Sequence, residues 1–169
     1  MNIRPIDPSD GAKYRSILER TSSEDRYCRF FHHVDHFSEE FVDRYVTAQP
    51  DVLGFIALDD DGTPLGAAHA IRLENEPRKA ELAIVVAQDA RRRGVARALL
   101  NRLIDALGEW DCDSLIAYAL RENRVFTRLA RSAGMRADPI GDGATAVWRL
   151  APPPRRERLW QAARFPARG

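Results

Sequence analysis

The chain has 169 residues, a formal net charge of +1 and 44 % hydrophobic residues, a composition typical of one soluble globular domain. The nearly neutral charge disfavours a nucleic-acid or membrane-surface binder, and no segment approaches the ~20 apolar residues of a membrane helix. Cys28 and Cys112 are far apart, which predicts reduced thiols rather than a disulfide or a zinc site. The N-terminal residues are charged and predict no signal peptide, so we expect a cytoplasmic protein.

Hydrophobic spacing predicts a mixed α/β domain over residues 1–150, followed by a Pro/Arg-rich tail over 151–169. The segment 22–37 is aromatic and predicts irregular structure. The segment 79–87 is almost wholly apolar after Glu81 and predicts a central strand buried on both faces. In chain order, the predicted elements are a strand at 2–7, helices at 9–20 and 38–49, strands at 52–58, 65–74 and 79–87, a helix at 94–108, a strand at 114–120, a helix at 123–134 and a strand at 145–151.

The stretch "QDARRRGVARALL" places three cations at the start of the helix predicted over 94–108. The N-terminus of a helix already carries partial positive charge and unsatisfied N–H groups, so further cations suggest that a multiply charged anion binds there. Gly94 lets such an anion approach the backbone, and a pyrophosphate is the natural candidate. The stretch lacks both the Gly-Lys-Ser/Thr of a P-loop and the glycines of a dinucleotide fingerprint.

The pattern Arg91-x-x-Gly94-x-Ala96, directly after an apolar strand, resembles the Q/R-x-x-G-x-G/A motif of the general N-acetyltransferase (GNAT) superfamily. "AELAIVV" before it, and "SLIAYAL", Asn123 and "RLARSAGM" after it, follow in the order of that family. "TSSEDRYCRFF", "AELAIVV" and "ENRVFTRLARSAGM" resemble segments of its bacterial protein lysine acetyltransferase branch more closely. The resemblance covers about residues 1–150.

This resemblance implies a GNAT-like mixed, mostly antiparallel central sheet with a splayed parallel strand pair, flanked by helices, and acetyl-CoA as the cofactor. The pantetheine arm would follow the strand "IVV", where an N–H of Val85 or Val86 would hold the thioester oxygen. The pyrophosphate would lie on the N–H groups from Arg92 to Arg97. The predicted cofactor-binding residues are Ile84, Val85, Val86, Arg91, Arg92, Arg93, Gly94, Val95, Ala96, Arg97 and Asn123.

Glu81 is the candidate general base because it is the only carboxylate among the apolar residues of its strand. In the alternative interpretation it pairs with Arg78, Lys79 or Arg72 and has no catalytic role. Many GNAT enzymes carry a tyrosine acid where this chain has Ala130. A CoA thiol can leave as thiolate without an acid, and Tyr118 is a spare candidate for that role.

Three further features have simple structural interpretations. Asn123 caps the helix that follows it, and the resemblance adds a contact with the pantetheine arm. His32 and His36 are four residues apart but lack a further recognisable ligand, so we expect surface histidines and no metal site. The acidic triplet Asp59–Asp61 predicts a solvated turn. The resemblance also implies that five residues line the acceptor side, as the matching segment does in relatives; they are Arg26, Tyr27, Arg29, Phe30 and Phe31.

The sequence therefore predicts an acetyl-CoA-dependent N-acetyltransferase that transfers acetyl to a primary amine by direct attack on the thioester. The acceptor stays open between a protein lysine and a small amine. A non-catalytic acyl-CoA-binding regulator is the rival from another class, and it would not need Glu81. We expect a monomer or homodimer that binds no nucleic acid and no membrane.

Overall fold

The computed structural model describes residues 1–138 and 144–151, so the predicted tail beyond Ala151 lies outside the described residues. Short 3-10 turns occur at Pro8–Asp10 and Gln88–Ala90. In chain order, the helices and strands are β1 (Asn2–Pro5), α1 (Gly11–Glu19), α2 (Ser23–Phe30), α3 (Glu39–Val46), β2 (Val52–Leu58), β3 (Pro64–Leu73), β4 (Glu76–Val86), α4 (Val95–Leu107), β5 (Ser114–Leu120), α5 (Arg124–Ser132), β6 (Arg136–Asp138) and β7 (Thr145–Leu150).

The described strands form one seven-stranded sheet in the order β1-β2-β3-β4-β5-β7-β6. Strands β4 and β5 run parallel, whereas the other neighbouring pairs described are antiparallel. The parallel register runs only from Lys79 opposite Ser114 to Glu81 opposite Ile116, after which the two strands part. The predicted mixed, mostly antiparallel sheet with a splayed parallel pair is confirmed.

Helices cover both faces of the sheet, and each face has its own hydrophobic core. On the α4 face, α4 buries leucines at helical spacing against the strands; they are Leu99, Leu100, Leu103 and Leu107. On the α1 face, Tyr14, Ile17 and Leu18 of α1 pack with α3 and with Val85 of β4. Because side chains alternate along a strand, Glu81 shares the α1 face with Val85.

Two predictions of local structure were wrong, and one short strand was not predicted. The segment 22–37 is not wholly irregular, because α2 occupies Ser23–Phe30 and the Ser22 side chain accepts a hydrogen bond from the N–H of Asp25. The helix predicted over 38–49 ends at Val46. Strand β6 was not predicted, because it has only three residues and depends on pairing with β7.

The expectation that the central strand is buried on both faces is only partly met. Leu82, Ala83 and Val85 are buried, but Glu81, Ile84 and Val86 are half-buried. The reason is the divergence from β5, which uncovers this end of β4.

The cysteine prediction holds in that both thiols are free, with Cys112 buried and Cys28 half-buried. Within residues 1–138 and 144–151, no helix is long and apolar enough to cross a membrane.

Candidate active site

The divergence of β4 from β5 leaves an open row of backbone polar groups along β4. The N–H of Ala87 donates to the carbonyl of Leu65 on the β3 side, at 2.9 Å. Backbone groups alternate in direction along a strand, so Val85 also directs its N–H towards β3, whereas Ile84 and Val86 direct theirs towards the gap. Of the three predicted contacts of the pantetheine arm, Ile84 and Val86 thus have backbone groups oriented into the gap, and Val85 does not.

Glu81 lies at the closed end of this gap, opposite Ile116 in the last register pair of the two strands. It is half-buried, and within the described chain it forms no ion pair. The three cations named in the alternative interpretation have other partners. Arg78 binds Asp113, Lys79 binds Glu76, and Arg72 donates to the carbonyls of Pro77 and Trp110. The alternative interpretation of Glu81 as one half of a structural ion pair therefore finds no support in the described residues.

The loop before α4 presents a concave set of N–H donors. Arg92 and Gly94 both have positive φ, at 60° and 79°, and the first N–H groups of α4 have no preceding helical turn to donate to. Such a turn at a helix start is a general anion-binding arrangement. A Cβ built on Gly94 would meet no atom within 4 Å, so the space above the loop is open. These residues fit a pyrophosphate.

The arginine side chains of this loop do not all share the same environment. Arg91 forms an ion pair with Asp25 of α2, and Arg93 donates to Asp59 at 2.8 Å. The hydrogen bond between these two side chains lowers the pKa of Asp59 and raises the pKa of Arg93. Asp59 is therefore more than part of a solvated turn, since it orients Arg93. Arg92 and Arg97 are exposed and form no ion pair with the described residues.

Asn123 and Tyr118 lie on the β5 side of the gap. The Asn123 side chain accepts a hydrogen bond from the N–H of Phe126 at 2.9 Å, so its predicted role as a helix cap is confirmed. Tyr118 follows Ile116 by two residues, points to the α1 face and is 43 % exposed. Ala130, where many GNAT enzymes carry a tyrosine, is fully buried in α5.

Helix α2 is the part of the site whose helical form sequence reasoning missed. It packs against both β4 and β5 and so lies across the gap between them. Its first turn is capped by Ser22, and its C-cap, Phe31, takes a left-handed conformation with φ of 61°. The pattern Ser22-x-x-Asp25 is an N-terminal helix signal that could have predicted this element. Asp25 connects α2 to Arg91 of the loop before α4.

The histidine segment does not form a metal site. Helix α2 ends at Phe30, so His32 and His36 do not face one side of a helix as their spacing had suggested. Across the described ranges, no group of three or more His, Cys, Asp or Glu side chains could hold a metal ion. His32, His33 and His36 are exposed, as expected for surface histidines.

The family model for the acetyltransferase (GNAT) family matches residues 15–135, and the chain belongs to that family. Solved structures share the fold. The GNAT domain of S. lividans PAT superimposes with a TM-score of 0.82 at 24 % identity, covering 88 % of this chain and 89 % of that chain.

Two further structures were determined with cofactor. Spermidine N-acetyltransferase from Vibrio cholerae, in complex with CoA and spermine, has a TM-score of 0.70 at 15 % identity, over 89 % of this chain and 95 % of that chain. The yncA protein from Salmonella typhimurium, with its cofactor acetyl-CoA, has a TM-score of 0.70 at 18 % identity, over 90 % of this chain and 94 % of that chain. At these identities the likeness establishes the fold, and it leaves the acceptor of this chain open.

Proposed function

We propose that this protein is an acetyl-CoA-dependent N-acetyltransferase in which Glu81 is the general base for a primary amine. The observation that carries the proposal is the position of Glu81. It is a carboxylate without an ion partner in the described chain, at the point where β4 and β5 part. A non-catalytic binder would need the gap and the anion-binding loop, but it would not need this carboxylate. Membership in the acetyltransferase family supports the same conclusion.

The loop before α4 binds the pyrophosphate of the cofactor in this proposal. The N–H groups from Arg92 to Arg97 donate to its oxygens, and the side chains of Arg92 and Arg97 add positive charge. Asn123 borders the arm, because its side-chain NH₂ group remains available while its oxygen caps α5. Acetyl-CoA, when bound, supplies the thioester whose carbonyl carbon accepts the amine and whose sulfur leaves as thiolate.

The residues of β4 would perform the remaining chemistry. Glu81 takes the proton of the attacking amine, directly or through a water, as the new C–N bond forms and the C–S bond breaks. The N–H groups of Ile84 and Val86 face the gap, and one of them holds the carbonyl oxygen as negative charge develops on it. Such a donor is typically worth ~3 kcal/mol of transition-state stabilisation. Val85 is not used, because its backbone groups point towards β3.

The test is a transfer assay with acetyl-CoA and a panel of amines, comprising lysine peptides, free amino acids and polyamines, followed by mass spectrometry. Acetylated amine and stoichiometric free CoA are expected with the wild-type chain. Acetyl-CoA binding without transfer to any amine, and with equal affinity in Glu81→Gln, would instead favour the acyl-CoA-binding regulator.

A further inference from the structure

Two arginines of α2 differ from the other half-buried arginines of the protein. Residues 1–138 and 144–151 contain six half-buried arginines, and four of these donate hydrogen bonds to carboxylates or carbonyls; these four are Arg4, Arg15, Arg20 and Arg72. The side chains of the other two, Arg26 and Arg29, form no hydrogen bond and no ion pair with any described residue. Half-buried cations normally have partners, so two such side chains on one helix call for an explanation.

The two side chains have different surroundings. The Nε atom of Arg26 is buried and has no acceptor. The guanidinium of Arg29 lies 5.0 Å from the ring centre of Phe30, and its charge reaches the core of the α1 face. There, burial is the main cause of the lowered pKa of His69, and Arg29 lowers that pKa further. Since Arg26 and Arg29 are three residues apart, they share one side of α2.

The neighbouring carboxylates form no ion pair with these two cations within the described residues. Asp25 is paired with Arg91 at the loop before α4. Glu24 and Glu122 lie near Cys28, where they add to the effect of burial in raising the pKa of the thiol. Glu81 forms no ion pair with either arginine. Helix α2, which contacts both β4 and β5, therefore carries two cations without an ion pair among the described residues.

We propose that Arg26 and Arg29 bind a carboxylate of the acceptor, so the acceptor class is an amine that carries a carboxylate nearby. This inference rests on the proposed transferase function and names the substrate class of that site. A guanidinium matches the two oxygens of a carboxylate, and the side chains of Arg26 and Arg29 have no such partner among the described residues. A polyamine brings only positive charge, so it is disfavoured.

The first test uses two acceptors that differ only in the carboxylate, Nα-acetyl-lysine and Nα-acetyl-lysinamide. The wild-type chain is expected to prefer the carboxylate by about tenfold or more in kcat/KM, as for one charge-assisted hydrogen-bonded pair. The preference should fall below threefold in Arg26→Gln and in Arg29→Gln. The matched control is Arg44→Gln, which changes an exposed arginine of α3 and should retain the full preference.

The same carboxylate could come from a free acid or from a residue beside a lysine in a polypeptide. A second pair of acceptors, a lysine peptide with flanking aspartates and its asparagine counterpart, distinguishes these two sources. A preference within either pair that requires Arg26 and Arg29 supports the inference. Equal rates within both pairs, a preference that survives both substitutions, or faster transfer to spermidine than to any carboxylate acceptor would overturn it.

Binding measurements separate this inference from the proposed function. Nα-acetyl-norleucine has the carboxylate but no amine to acetylate, and calorimetry compares its binding with that of its amide in the presence of CoA. Selective binding of the acid that is lost in Arg26→Gln supports the carboxylate site even where no amine is acetylated, which would count against the transferase function alone. Amine transfer together with equal binding of acid and amide refutes the carboxylate site and leaves the transferase function standing.

Discussion

Glu81 and Ile116 lie side by side as the last registered pair of β4 and β5, and the two strands diverge beyond them. This relationship puts a carboxylate at the closed end of a gap whose β4 side is lined by the unpaired backbone groups of Ile84 and Val86. The loop of Arg92 and Gly94 lies just beyond the other end of β4. Strand β4 thus carries the candidate base and the candidate oxyanion donors, and it leads into the candidate pyrophosphate site.

The role of Glu81 predicts a specific kinetic defect. Glu81→Gln keeps the shape of the side chain but removes its basicity, so turnover should fall by about 10²–10⁴. Acetyl-CoA affinity should change no more than a few-fold, since the proposed cofactor contacts lie on Ile84, Val86 and the loop before α4. Steady-state kinetics measure the turnover and calorimetry measures the acetyl-CoA affinity, both on one preparation. Glu74→Gln, at an exposed position before β4, serves as the control, and turnover of Glu81→Gln within threefold of wild type would remove Glu81 as the base.

The anion-binding loop predicts a loss of cofactor affinity on Gly94→Glu. The new carboxylate would enter the open space above the loop and repel the pyrophosphate, so acetyl-CoA binding should be abolished. Because Gly94 has φ of 79°, any side chain here also strains the backbone by about 1 kcal/mol. Gly94→Ala carries that strain without the charge and should still bind. Normal calorimetric binding by Gly94→Glu would contradict the assignment of the loop.

His69 predicts a loss of stability between pH 6.5 and pH 4. It is buried, and because a carbonyl only accepts, its Nε2 donates to the carbonyl of Tyr45 at 3.0 Å. Burial lowers its pKa to about 4 from 6.5, so the unfolded chain takes up a proton in this range before the folded chain does. The contribution of neutral His69 to the free energy of unfolding is complete above pH 6.5, and about 3 kcal/mol of it is lost by pH 4.

Urea unfolding at a series of pH values measures this effect. His69→Gln keeps an N–H donor for Tyr45 but does not titrate, so the difference in pH slope between this variant and wild type isolates the imidazole. His36→Gln changes an exposed histidine and should keep the wild-type slope. Identical slopes for wild type and His69→Gln would show that the imidazole is not held neutral.

We expect Asp10 to cause a second loss of stability at lower pH. Its buried carboxylate accepts two hydrogen bonds from Arg4, at 2.6 and 2.7 Å, and further bonds from Lys13 and the N–H of Asp7. The bonds from Arg4 are the main cause of its lowered pKa. A lowered pKa in the folded state stabilises the protein above the unfolded value of ~3.9, and this contribution is lost as pH falls below it.

Asp10→Asn should lower the free energy of unfolding at pH 7 by about 3 kcal/mol, because it removes the buried carboxylate that pairs with Arg4 and Lys13 and leaves Arg4 only Asp7, at 3.5 Å. Below pH 4 its stability should vary less with pH than that of wild type. Chemical denaturation at pH 7 and pH 3 provides both values. Asp43→Asn, at an exposed position of α3, is the comparison, and a similar small effect of both substitutions would argue against the buried pair.

Much of the fold followed from local patterns in the sequence. The leucine spacing from Leu99 to Leu107 predicted α4, because only one side of that helix is buried against the sheet. The capping role of Asn123 depends on atoms three residues apart and was also correctly predicted. The order of strands and helices, together with the arginine-rich loop and the family motif, was sufficient to predict the splayed sheet.

What the sequence could not determine depends on contacts between residues distant in the chain. Asp59 and Arg93 are 34 residues apart, so only the tertiary structure reveals that a turn between β2 and β3 orients an arginine of the anion-binding loop. Helix α2 has only eight residues, most of them polar, and fully buries none of them, so its pattern is shorter than that of the thirteen-residue α4, and its position across the gap follows from packing on β4 and β5. Local hydrogen bonding and hydrophobic spacing are encoded along the chain, whereas the pairing of charges across elements is decided only when the strands and helices assemble.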